Sequence, residues 1–198
     1  MFESGPFGAT YAHALGIRPH VDRANPILAL IGSPTELTKL QSDRLESQSG
    51  VDLITVDDPA SDVSQLLSRL RASAEVGKTV IGIRTTSRDG SAPDPLHASQ
   101  MLTLIIDLAV ECADSMQLDG IYASGGDVAF AVLDALGARG YEVENEVVPL
   151  AVSGKLVGGP HDGLGFATKG GLVGDADAAV ECINQLRSRI RQSEPRIV

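Results

Sequence analysis

Residues 27–45 read ILALIGSPTELTKLQSDRL, and this stretch decides the fold. Ile27–Ile31 form an unbroken apolar run, which suits a strand buried on both faces. Gly32-Ser33-Pro34-Thr35 breaks the run, and Ser33 or Thr35 can cap the helix expected over 36–47. Leu37, Leu40 and Leu45 recur at helical spacing and mark the expected inner face of that helix. A buried strand that feeds a capped helix through a glycine turn is the building unit of a parallel, helix-covered sheet.

Working outward, the unit repeats. Val51–Val56 reads as a strand ended by Asp57-Asp58-Pro59, and Val63, Leu66, Leu67 and Leu70 predict an amphipathic helix over 61–76. A third strand is expected over 78–83, a long helix over 96–116, a short strand over 120–123 and a helix over 128–136. After Gly140 the rhythm changes. Residues 141–148, 152–157 and 164–168 read as strands without helices between them, and a last helix is expected over 175–191. The prediction is an α/β fold: a mainly parallel sheet with helices on both faces and a few late antiparallel strands. Residues 27–192 form the expected domain, 1–26 a linker-like segment and 193–198 a tail.

The composition fits that core. The chain has 198 residues, 43% hydrophobic but only 4% aromatic and without Trp, so Val, Ile, Leu and Ala must fill the interior. A formal net charge of −10 repels phosphate backbones and argues against a nucleic-acid partner. It says little about mononucleotides, which backbone N–H groups and a few local cations can hold. Cys112 and Cys182 lie in apolar, helix-like segments and read as buried thiols. With four scattered histidines they offer no metal-ligand spacing. No apolar run reaches the roughly 20 residues of a membrane span, and the first residues lack a signal pattern, so a soluble cytoplasmic protein is expected.

Three glycine-bearing turns share one context, an apolar strand before and a helix after. They are Gly32-Ser33, Ser124-Gly125-Gly126-Asp127, and Lys169-Gly170-Gly171 with Gly174. In an open parallel sheet such turns lie at the carboxyl ends of the strands, where ligands bind. Helix N-termini there present free N–H groups to phosphate, and glycine lets a ligand approach the backbone. Each turn is also readable as a plain tight turn. None is a G-x-x-x-x-G-K-[ST] loop or a G-x-G-x-x-G turn. Lys169 is either a phosphate contact or a solvated lysine. Asp127 is a candidate for Mg²⁺ through water, for a ribose hydroxyl, or for a helix N-cap.

Taken in order, these stretches resemble the C-terminal nucleotide-binding domain of the four-carbon acid sugar kinase family. Gly32-Ser33 with Thr38 and Gln41 is similar to that family's G-S-x-S-x-x-T-x-x-Q. Ser124-Gly125-Gly126-Asp127 is similar to its S-G-G-[DE]-T, and Lys169-Gly170-Gly171-Leu172-Val173-Gly174 to its K-[SA]-G-x-[FV]-G. The resemblance implies ATP across these turns. Ser33 would sit on the base or ribose side, Ser124, Gly125, Gly126, Asp127 and Val128 would line the nucleotide, and Lys169, Gly170 and Gly171 would approach the phosphates, with Mg²⁺ bridging them. Val128 stands where the family has Thr, Gly170 where it has Ser or Ala, Thr35 where it has Ser, and Leu150 where a Gly is expected after Pro149.

Full-length members of the family carry a substrate domain that opens on Asp-Asp-x-Thr-Gly, and Asp57-Asp58-Pro59 lacks the Thr-Gly. The resemblance therefore implies the ATP-holding half of a kinase for threonate-, erythronate- or 3-oxo-tetronate-like acids, inactive without the half that positions the acceptor. A homodimer is compatible with this reading. The residues also admit a stand-alone nucleotide sensor, or an assembly domain whose glycine turns are only turns. A Rossmann oxidoreductase is less well matched, because Gly32-Ser33-Pro34-Thr35 is not its phosphate loop.

Overall fold

The computed structural model describes residues 25–32, 35–86 and 94–193. The expected 1–24 part of the linker segment, Ser33 and the end of the tail lie outside the described residues. Within them the chain runs β1 (Ile27–Ile31), α1 (Glu36–Glu46), β2 (Val51–Val56), α2 (Val63–Glu75), β3 (Val80–Thr85), α3 (Pro95–Ser115), β4 (Gly120–Ser124), α4 (Gly126–Ala135), β5 (Gly140–Val148), β6 (Ala151–Val157), β7 (Gly165–Lys169) and α5 (Ala178–Ser193).

The strands form one seven-stranded sheet in the order β2-β3-β1-β4-β7-β6-β5. β2, β3, β1, β4 and β7 are mutually parallel, while β6 runs antiparallel to both β7 and β5. The predicted α/β architecture, with its late antiparallel strands, is therefore the observed one. β1 sits near the middle of the sheet with every residue buried, as its continuous apolar run requires. Alternate residues of β1 feed two cores. Leu28 and Leu30 pack with Leu70, Leu108 and Val132 of α2, α3 and α4. Ile27, Ala29 and Ile31 pack with Leu45 of α1 and with Ala179, Cys182 and Ile183 of α5. Both cysteines are free and buried, as expected.

Local signals fix the helix starts. The Thr35 hydroxyl accepts the Thr38 N–H at 3.1 Å, Asp62 accepts from Ser64, and Asp94 accepts from His97 with Pro95 just inside the helix. α3 is long and apolar enough in composition to cross a membrane, but here Met101, Leu104, Ile105, Leu108, Ala109 and Cys112 all enter the core.

Some local expectations are corrected. α4 begins at Gly126 rather than 128, so Asp127 lies in its first turn and Gly125 is the N-cap. β7 runs one residue further than expected and includes Lys169. On α1, Leu40 is exposed, and the inner face is made of Thr38, Gln41, Ser42 and Leu45. The leucine spacing misplaced that face because it ignored buried polar residues.

Candidate functional site

The parallel strands bring their carboxyl ends to one edge of the sheet. The last residues of three adjacent strands stand in register there: Ile31 beside Ser124, and Ser124 beside Lys169. The Gly32 N–H donates to the Ser124 carbonyl at 3.2 Å, and the Gly125 N–H donates to the Lys169 carbonyl at 2.9 Å. The three glycine corners are thus joined by backbone hydrogen bonds and span about 10 Å, two strand spacings.

Gly125 has φ 115°, a conformation that suits glycine, and it caps α4 without any side-chain hydrogen bond. The first turn of α4 therefore opens onto the edge with N–H groups that no described side chain caps, and with the positive end of the helix dipole. Gly126 is exposed, and a Cβ built on it meets nothing within 4 Å. Its neighbour Asp127 is also exposed. Val128 is buried and packs against Gly32.

Beside this turn lies a cavity of about 370 Å³ between the ends of β1 and β3 and the N-terminal halves of α3 and α4. Met101, Leu102, Ile105 and Val128 supply its apolar lining, and Thr85, Thr86, His97, Ser99 and Asp127 its polar groups. Sequence reasoning found Asp127 and Val128 but missed the others. Thr85 and Thr86 could have been flagged as the end of a parallel strand. His97 carries no sequence signal, because only the packing of α3 brings it to this edge.

Lys169, Gly170 and Gly171 lie on the other side of the corner, between α1 and α5. Lys169 is 2% exposed, and its Nζ donates to the Gly170 carbonyl at 3.0 Å. Burial holds its ammonium below the usual lysine range. Lys169 is therefore not a solvated surface lysine. The following loop is tied to α1. Thr35 and Thr38 both donate their hydroxyls to the Gly171 carbonyl, at 2.8 and 2.9 Å. Gln41 Nε2 donates to the carbonyls of Val173, at 3.0 Å, and Asp175, at 2.6 Å. Ser124 is buried, and its carbonyl accepts the Gly32 N–H at the edge. The structure thus places Gly125, Gly126, Asp127 and Val128 at the cavity side, and Lys169, Gly170 and Gly171 at the α1 side, of one continuous edge. Among the described residues no group of three His, Cys, Asp or Glu side chains could hold a metal ion.

Residues 28–179, which contain all three corners, match the family model described as the nucleotide-binding C-terminal domain. The chain belongs to this family of nucleotide-binding C-terminal domains. The domain is 35% identical to a D-erythronate kinase of Heliobacterium modesticaldum, over 95% of this chain and 48% of that kinase. It is 27% identical to a D-threonate kinase of Salmonella typhimurium, over 75% of this chain and 40% of that one. The chain thus spans less than half the length of these relatives. A crystal structure of a domain of unknown function from Bordetella bronchiseptica, a domain-swapped dimer with bound citrate, superposes with a TM-score of 0.71 at 26% identity, over 83% of this domain and 41% of that chain. A Haemophilus influenzae protein shares the fold, with a TM-score of 0.67 at 17% identity, over 89% of this domain and 45% of that chain.

Proposed function

We propose that this domain holds ATP for a kinase that phosphorylates four-carbon sugar acids of the erythronate, threonate or 3-oxo-tetronate type. The observation that carries the proposal is the set of register-aligned corners at Ile31, Ser124 and Lys169, with the uncapped first turn of α4 in their middle. The N–H groups of Gly126, Asp127 and Val128 face the triphosphate, whose charge they offset together with the helix dipole. The absence of a side chain at Gly126 leaves room for it. The neighbouring cavity, apolar below and polar at its rim, accepts the nucleoside. The exposed Asp127 carboxylate stands where it can meet Mg²⁺ through water, and a divalent ion would neutralise phosphate charge there.

Phosphoryl transfer also needs the acceptor hydroxyl held in line with the terminal phosphate. In this reading a separate substrate domain holds the acceptor, so the domain alone is expected to bind ATP without turning it over. The domain-swapped dimer of the Bordetella relative supports a homodimer as its assembly.

Titration calorimetry with ATP and Mg²⁺ tests the binding step. A saturable heat that Asp127→Asn reduces when Mg²⁺ is present, and leaves unchanged without it, is the expected result. No heat with the wild-type domain overturns the reading. An assay with D-erythronate or D-threonate, plus a supplied substrate domain, tests the reaction. ATP binding without turnover in that mixture would favour a nucleotide sensor, a reading to which Val128, which lacks the family's hydroxyl, also leans.

A further inference from the structure

One face of α1 is spent on the backbone of the loop that follows β7. Thr35, Thr38 and Gln41 recur every third residue, and each donates to carbonyls of the stretch Gly171 to Asp175. Lys169 holds the preceding carbonyl, that of Gly170, from beneath the loop. Thr38, Gln41 and Lys169 are each at most 2% exposed. The Gln41 amide can be oriented only one way, because its oxygen would repel the two carbonyls that its nitrogen now serves. That leaves Gln41 Oε1 buried without a partner among the described residues. Buried polar side chains cost desolvation, so a set devoted to one loop fixes that loop in one conformation.

The conformation has a direction. In a trans peptide the carbonyl and the next N–H point opposite ways, and the described chain has no cis peptide bond. Drawing the Gly170 and Gly171 carbonyls inward therefore turns the N–H groups of Gly171 and Leu172 outward. Neither N–H has a hydrogen-bond partner among the described residues. Successive outward N–H groups form an anion-binding concavity.

We infer that Thr38 and Gln41 are positioning residues for the nucleotide: from inside the fold they aim the Gly171 and Leu172 N–H groups at a phosphate, without touching it themselves. The inference rests on the nucleotide reading above. It also gives Lys169 a role beneath the loop, as a buried clamp on the Gly170 carbonyl.

The test compares Mg²⁺–ATP with adenosine by calorimetry on the wild type, Thr38→Val, Thr38→Ser and Gln41→Met, with folding followed by circular dichroism. Thr38→Val is expected to weaken Mg²⁺–ATP about tenfold, the worth of one hydrogen bond to a charged group. Adenosine affinity should stay within about twofold, and Thr38→Ser should restore the wild-type value. Gln41→Met, which keeps the volume and removes both donors, should act in the same direction if Thr38→Val does not fold. Unchanged ATP affinity in folded variants of a wild type that binds ATP overturns this inference and leaves the nucleotide reading standing. Equal losses for both ligands also overturn it, because they mark α1 as general packing. No binding of Mg²⁺–ATP by the wild type removes both.

Discussion

Gly32 lies so close to Val128 that a Cβ built on it would stand 2.5 Å from Val128 Cγ2. A corner of β1 and the first turn of α4 are therefore fitted to each other with no room to spare, and Val128 fills the position where the family carries a hydroxyl. Val128→Thr would add a polar group at the edge of the cavity. It is expected to cost about 1–2 kcal/mol of stability, because the hydroxyl is only partly satisfied there. If the triphosphate lies over this turn, the same hydroxyl should tighten ATP by about threefold or more, the worth of one hydrogen bond. Chemical denaturation and calorimetry on the same variant read the two effects, and a loss of ATP affinity would contradict the placement.

Gly126 and Gly82 separate two uses of glycine. A Cβ at Gly126 meets nothing within 4 Å. Gly126→Val should therefore leave the fold intact, apart from about 0.5 kcal/mol of changed helix propensity, while blocking ATP. Circular dichroism and calorimetry check both halves. An unfolded Gly126→Val protein would mean that the glycine serves the fold instead.

At Gly82 the reverse holds. A Cβ there would lie 2.0 Å from the Ala29 carbonyl oxygen, on the strand paired beside it in the middle of the sheet. Backbone cannot step aside as a side chain can, so Gly82→Ala should cost about 3 kcal/mol or more. A urea midpoint close to the wild type would refute this.

The thiols predict a response to alkali. Burial raises Cys112 from its ordinary 9.0 to about 12 and Cys182 from 9.0 to about 11. The unfolded chain ionises these thiols above about pH 9, while the folded chain keeps their protons. Stability is therefore full below that pH and falls as pH rises towards 11–12. Each ionising thiol should steepen the fall by about 1.4 kcal/mol per pH unit. Lys169, held below its ordinary range, acts in the opposite sense, so the clean readout is the slope difference between wild type and Cys112→Ala. Matching slopes from pH 9 to 11 would show that Cys112 is not shielded from solvent.

The local elements were legible because each writes itself in a short window. The apolar run of β1 announces burial on both faces, the spacing of Val63, Leu66, Leu67 and Leu70 announces α2, and the missing helices after Gly140 announce the antiparallel end of the sheet. The glycine corners at Gly32, Gly125 and Gly170 were legible in the same way, since each follows a strand and precedes a helix. Parallel strands must bring such corners to one edge.

The set of elements and the existence of a glycine-lined edge are thus written in the residues themselves. The assembled fold settles which corners are neighbours, because the order β2-β3-β1-β4-β7-β6-β5 is set by pairing between distant segments. It also decided which way the polar residues face. Strand parity puts Lys169 on the same side of β7 as Ala167, towards α5, and the rotation of α1 turns Thr38 and Gln41 inward and Leu40 out. Those orientations depend on which helix covers which face, and no single window of sequence contains that information.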